Sequence, residues 1–229
     1  MTAVIRGVVF DLDHTLFDRY ATMRAAAPYF FKEAGDLLPE GVTKEQFIDA
    51  LCDADRNFVI YGWPAVFKAL RKGKMLRDSY PFEDYSRALL SSFSKVAVPF
   101  DFAKPTLRIL RERGLKLALL TNGFGELQWK KLRMLGLENE FDATLMLESG
   151  MKKKPEPEPF LTIAQDLGIP PEELIYVGDN PINDVQGSRN AGYLPVWVRT
   201  TGVWPDGIEP APYAIDDVSE LPDLLDRIS

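Results

Sequence analysis

The chain has 229 residues, 46% of them hydrophobic and 27% charged, which suits one large α/β domain or a domain carrying a smaller inserted one. A formal net charge of −7 repels nucleic acid at long range, and no basic stripe follows a phosphate backbone, so a nucleic acid polymer is not an expected partner. The lone cysteine, Cys52, and the lone histidine, His14, exclude a disulfide framework within one chain, a cysteine-cluster zinc site and any multi-histidine metal site.

The opening residues Met1 to Arg6 lead into a strand that is too short and wrongly flanked for a signal peptide, and no long apolar span follows. The expectations are therefore a cytoplasmic location and no membrane partner. The first strand, Ile5 to Phe10, runs straight into Asp11-Leu12-Asp13-His14-Thr15. Residues i and i+2 share a face in a strand, and a chain that leaves the sheet after Asp11 can bring both carboxylates into one cavity. Unpaired buried charge is expensive, so two anions there imply a cation or a phosphate. The pattern predicts a metal-assisted phosphoryl site with a carboxylate nucleophile.

Helical patterning then fills about eighty residues, far more than a βα crossover needs, so a helical domain is expected to be inserted over residues 17–98, with a core of 1–16 and 99–229. Its first helix should be Arg19 to Ala34, with an exit through Gly35-Asp36 and Leu38-Pro39-Glu40-Gly41. Phe47, Leu51, Ala54 and Phe58 form one helical stripe, and Phe82, Tyr85, Leu89 and Phe93 another; both read as core. Breaks at Gly62-Trp63-Pro64 and Ser79-Tyr80-Pro81 give four or five helices, and Cys52 reads as a buried thiol on one of them.

From about Phe102, helix and strand alternate, predicting an α/β, Rossmann-like, mostly parallel sheet with helices on both faces. Strands are expected at Lys116 to Leu120, Ala143 to Leu147, Leu174 to Val177, Leu194 to Val198 and Tyr213 to Ile215. The intervening helices should be Lys104 to Arg113, Glu126 to Leu135, Glu158 to Leu167, Ile182 to Ala191 and a last one from Ser219. Asp11-Asp13, Thr121-Asn122-Gly123 and Gly178-Asp179 follow three of these strands, so they should converge at the carboxyl edge, where open α/β sheets bind ligands.

Val9-Phe10-Asp11-Leu12-Asp13-His14-Thr15-Leu16, Leu119-Leu120-Thr121-Asn122-Gly123, Lys154-Pro155-Glu156-Pro157 and Tyr176-Val177-Gly178-Asp179 with Asp184 resemble, in order, the four motifs of the haloacid dehalogenase-like hydrolase superfamily. The insert after the first motif is similar to that family's helical C1 cap. The resemblance implies a phosphatase of small phosphorylated metabolites that works through an aspartyl-phosphate. Asp11 would be the nucleophile, and Asp13 would protonate the leaving oxygen and later deprotonate water. Mg²⁺ would be held by Asp11, the Asp13 main-chain carbonyl and Asp179. Thr121, Asn122 and Lys154 would face the phosphate oxygens, helped by main-chain amides after Asp11 and around Gly123. Thr15 would support the loop, and Asp184 would orient Lys154 or a metal-bound water. Uncharged Asn180 leaves no adjacent acid to compete with Asp179.

Lys152 and Lys153 read as solvent-facing. His14 reads as an interchangeable loop residue or a contact to the leaving group. A dehalogenase would use Asp11 alone, and Asp13 argues against it; a phosphomutase would keep both aspartates, and a noncatalytic interaction protein is the reading from another class. Arg24, Tyr61, Trp63 and Arg71 of the insert are candidate substrate contacts, and equally read as surface or core residues.

Overall fold

A computed structural model describes residues 4–34, 36, 38–79, 81–123, 125–148, 150–200 and 204–228. Met1 to Ala3, Gly35 and Tyr80, which figured in the expected start and breaks, lie outside the described residues.

Apolar runs build the sheet. Strands β1 (Gly7–Phe10), β2 (Lys116–Asn122), β3 (Ala143–Leu147), β4 (Leu174–Gly178), β5 (Leu194–Val198) and β6 (Tyr213–Ile215) form one six-stranded sheet, ordered β3-β2-β1-β4-β5-β6. Every pair is parallel. The fold is Rossmann-like α/β. Parallel strands covered on both faces carry continuous apolar sequence, and Val8, Val9, Phe10, Leu117, Ala118, Leu119 and Leu120 are all fully buried. On one face Val9, Ala118, Leu120 and Tyr176 pack with Phe160 and Ile163 of a helix at Pro157–Leu167. Their neighbours alternate to the other face. A helix at Ala103–Glu112 touches β2 and the terminal helix Leu221–Ile228, and buries Leu107 and Leu110.

Strand order turns back at β1, which lies between β2 and β4; Phe10 sits level with Leu119 and Val177. The carboxyl end of β1 is thus the switch-point crevice, and the next residues of all three strands meet there. Beyond shifts of one or two residues at other ends, β2 and the segment after β4 differ from expectation. β2 continues through Thr121 and Asn122, because these pair with Met146 and Leu147 of β3. The helix expected at Ile182 to Ala191 is instead a π-helical turn, Pro181–Gln186, followed by a short helix, Gly187–Asn190. The Asn180 carbonyl accepts from both Asp184 N (3.0 Å) and Val185 N (3.2 Å), which widens the turn.

Residues 1–18 and 99–229 form one compact unit and residues 19–98 a second. The second consists of α1 (Arg19–Ala34), α2 (Lys44–Phe58), α3 (Trp63–Lys72) and α4 (Phe82–Phe93), with a 3₁₀ turn at Val59–Tyr61. Phe30 stacks on Phe47 at 5.3 Å, and Phe67 on Tyr85 at 5.7 Å. Thr43 starts α2 with a reciprocal cap: its hydroxyl accepts from Gln46 N, and Gln46 Oε1 accepts from Thr43 N. Arg19 donates twice to the fully buried Asp55, at 2.9 and 3.1 Å. The Phe47 stripe is core apart from Phe58, which is 40% exposed at the end of its helix. Cys52 is buried 4.0 Å from the Met23 sulfur, and burial pushes its thiol up to about 11. Among the described residues no helix is long and apolar enough to cross a membrane.

Candidate active site

Asp11 leaves the sheet at the end of β1, its N–H still donating to Val177 O at 2.9 Å. The chain then turns back on itself: Leu16 N donates to Leu12 O (3.0 Å), His14 N donates to Phe17 O (3.1 Å), and Asp13 and Phe17 form a bridge. His14 sits in this turn with φ 61° and is 4% exposed. A buried residue in the left-handed region is a poor match for an interchangeable loop residue. Thr15 is buried too, and its hydroxyl has no hydrogen-bond partner among the described residues.

Lys154 is the centre of the site. Its buried ammonium donates to Asp11 Oδ1, Asp184 Oδ1 and the Tyr176 hydroxyl, each at 2.7 Å, and lies 3.1 Å from Leu120 O. The Tyr176 hydroxyl in turn donates a hydrogen bond to Leu120 O at 2.8 Å. The Lys154 main chain is held by Asn122, whose side chain accepts from Lys154 N (3.1 Å) and donates to Lys154 O (3.2 Å). Asn122, expected at the phosphate, thus spends its side-chain amide on the lysine's main chain. Lys152 and Lys153 are exposed.

Asp179 follows β4, and Trp197 Nε1 donates to its carbonyl at 2.8 Å. Asp184 reaches back from the π turn, with Oδ2 accepting from Asn180 N at 2.9 Å. The space it occupies exists because residue 178 is glycine: a Cβ there would lie 2.5 Å from the Asp184 carboxyl carbon.

Carboxylate oxygens of Asp11, Asp179 and Asp184 all lie within 4.8 Å of one another, and all three residues are buried. Burial pushes the Asp11 carboxyl up to about 6, with Asp184 and Asp13 adding to it and Lys154 opposing. Burial likewise raises Asp179 well above the ordinary carboxylate range, reinforced by Asp184 and Asp11. Burial works against the Lys154 charge, but Asp11 and Asp184 outweigh it and raise its pKa. When all three are ionised, the carboxylates against that one ammonium leave an excess of two negative charges. A divalent cation fits this excess, and an all-oxygen donor set without histidine or cysteine suits a hard one. Both Asp184 oxygens already accept from Lys154 and Asn180, which leaves Asp11 and Asp179 better placed to serve such an ion.

Asp13 stands apart from this cluster. Its carboxylate accepts from Lys131 Nζ at 2.9 and 3.2 Å and from Gln128 Nε2 at 3.0 Å. Gln128 Nε2 also donates to the Thr121 hydroxyl at 3.0 Å. Both residues come from the helix Gly125–Leu135 and are buried beside Leu132 and Leu135. Sequence reasoning missed them, and missed Tyr176. The one sequence signal is that Gln128 and Lys131 share the i, i+3, i+4, i+7 face with Leu132 and Leu135, which marks the face they lie on but not the residue they meet.

A model of the haloacid dehalogenase-like hydrolase family matches residues 5–192. The chain belongs to this family. It is 36% identical over 203 residues to a glyceraldehyde 3-phosphate phosphatase of Methanopyrus kandleri, covering 86% of this chain and 84% of that one. Identity to human N-acylneuraminate-9-phosphatase is 28% over 98% of this chain and 95% of the relative. Among solved structures, the hydrolase YfnB of Bacillus subtilis, bound to magnesium, superimposes with a TM-score of 0.69 at 25% identity, covering 97% of this chain and 99% of that one. An L-2-haloacid dehalogenase of Xanthobacter autotrophicus shares the fold, with a TM-score of 0.68 at 19% identity and coverage of 99% and 100%.

Among the insert residues singled out from sequence, Arg24 pairs with Asp49 at 2.7 Å beside a cavity of about 490 Å³ between α1 and α2. Trp63 lies under the Arg19 guanidinium at 5.1 Å, Arg71 is half-buried, and Tyr61 is exposed.

Proposed function

We propose that this hydrolase is a Mg²⁺-dependent phosphatase of small phosphomonoesters. The observation that carries the reading is the presence of two aspartates in separate settings, Asp11 in the Lys154 cluster and Asp13 in the grip of Lys131 and Gln128. Phosphoryl transfer from an alcohol needs both a nucleophile and an acid for the departing oxygen, whereas displacement of halide needs only the first. Relatives named as phosphatases of glyceraldehyde 3-phosphate, N-acylneuraminate 9-phosphate and phosphoglycolate support the substrate class.

Asp11 attacks phosphorus while the ester oxygen leaves with a proton from Asp13, giving an aspartyl-phosphate and the free alcohol. Water then attacks the same phosphorus, gives its proton to Asp13 and restores the Asp11 carboxylate. Lys154 holds Asp11 in place and, with the Thr121 hydroxyl, faces the phosphoryl oxygens. Asp11, the Asp13 carbonyl and Asp179 would hold Mg²⁺, with Asp184 orienting Lys154. The bound ion would supply positive charge against the repulsion between carboxylate and phosphate dianion. The helical insert is read as a C1-type cap.

A panel of nucleoside monophosphates, sugar phosphates, phosphoglycolate and p-nitrophenyl phosphate with Mg²⁺ tests this reading. Turnover of phosphomonoesters, lost in Asp11→Asn and in EDTA, is expected. Turnover of a 2-haloacid but no phosphomonoester, or recovery with Zn²⁺ but not Mg²⁺, would contradict it.

A further inference from the structure

We propose that Lys131 and Gln128 are positioning residues that aim the Asp13 carboxyl at the leaving oxygen. The inference rests on the reading of Asp13 as the acid and extends it to the side chains that set its direction.

Three observations carry it. Lys131 Nζ meets both Asp13 oxygens, at 2.9 and 3.2 Å, and a carboxylate held through both oxygens by one donor cannot turn about its last bond without losing a contact. Lys131 is itself fixed, because its ammonium lies 4.9 Å from the centre of the Phe17 ring, and Phe17 is fully buried and bridged to Asp13 in the same turn. Asp13, Lys131 and Phe17 thus lock one another. Gln128 ties this assembly to the phosphate side, its single Nε2 donating to both Asp13 Oδ2 and Thr121 Oγ1 at 3.0 Å. A buried amide that spans the acid and the phosphate-facing hydroxyl sets the separation between them. Its Oε1 is buried with no hydrogen-bond partner among the described residues, so the amide is placed by its donor side alone.

Such placement matters because proton donation requires the acid within about 3 Å of the departing oxygen, and small displacements are costly in rate. Asp13 follows Asp11 on a turn rather than a regular element, so the backbone alone leaves its side chain free to choose among rotamers. A helix supplies the rigid second support.

The test compares kcat/KM for Asp13→Asn, Lys131→Met, Gln128→Leu and the double variant Asp13→Asn/Lys131→Met, using p-nitrophenyl phosphate and an alkyl phosphate with Mg²⁺. Lys131→Met keeps the apolar stem that packs on Phe17. It should lose about 10²-fold on the alkyl ester, whose oxygen needs a proton, and under about tenfold on p-nitrophenyl phosphate, whose oxygen leaves readily. Gln128→Leu should show the same bias more weakly, and adding Lys131→Met to Asp13→Asn should cost little more. A leaving-group bias in Asp13→Asn without one in Lys131→Met or Gln128→Leu would overturn the positioning role while sparing the acid. An Asp13→Asn loss equal on both esters would overturn the acid assignment itself. Should Lys131→Met fail to fold, Gln128→Leu alone decides between the bias and its absence.

Discussion

The carboxylate cluster should make the metal-free protein less stable as pH rises, and Asp11→Asn should remove much of that effect. The Asp11 carboxyl stands at about 6 in the folded protein against an ordinary 3.8, chiefly through burial. A folded-state pKa above the unfolded one means the native state holds the proton more tightly. The stabilisation from this site is therefore fully present below the unfolded value and is lost as pH rises through about 6. The gap of roughly two pH units corresponds to about 3 kcal/mol. Asp179 is displaced in the same direction, also by burial, and adds in the same sense. Urea unfolding in EDTA at constant ionic strength, for the wild type and Asp11→Asn between about pH 4 and about pH 7, isolates the site from the surface pairs. The variant's advantage should grow by about 2–3 kcal/mol over that range and stay flat when Mg²⁺ saturates the wild type, because proton and cation compete for the same oxygens. An advantage that is constant with pH in EDTA, or that shrinks, would show that the cluster is not strained by its own charge.

Lys154→Met takes the ammonium from between Asp11 and Asp184 and should cost about 3–5 kcal/mol in EDTA near neutral pH, measured by urea unfolding. Gly178→Ala places a methyl 2.5 Å from the Asp184 carboxyl carbon; Mg²⁺ affinity and kcat/KM should each fall about tenfold or more, measured by calorimetry and steady-state kinetics. Arg19→Met leaves the fully buried Asp55 without its two-pronged partner, and should destabilise the helical insert by about 3 kcal/mol, seen as an earlier helical transition in thermal melts followed by circular dichroism.

The sheet was legible because its signals are local. Val8-Val9-Phe10 and Leu117 to Leu120 are uninterrupted apolar runs, and each ends in a polar cluster that fits only a strand's carboxyl end. The convergence of Asp11, Lys154, Asp179 and Asp184 was legible too, because four short motifs in order leave few ways to arrange them. The grip on Asp13 was not. Lys131 is 118 residues from Asp13, and a lysine on a charged-looking helix reads as solvent-facing until the fold buries it. Tyr176 was passed over because an aromatic inside an apolar strand reads as packing; its hydroxyl joins the Lys154 network by accepting from Lys154 Nζ and donating to Leu120 O. The π turn after Asp179 is hidden for a related reason. Its sequence, Pro181 to Gln186, carries ordinary helix signals, and the extra width lies in the backbone, where the Asn180 carbonyl accepts from Val185 N as well as Asp184 N.

Whether Asp11 carries the phosphoryl group is open to measurement in a single turnover. Enzyme in excess over a small phosphomonoester that it turns over would be quenched in acid at early times, digested, and its peptides weighed. One phosphoryl group should appear on the peptide containing Asp11, rise and decay with free phosphate following, and be absent in Asp11→Asn. Alcohol and phosphate released together, with no phosphoryl group on that peptide at any time or with the group on another residue, would contradict Asp11 as the nucleophile.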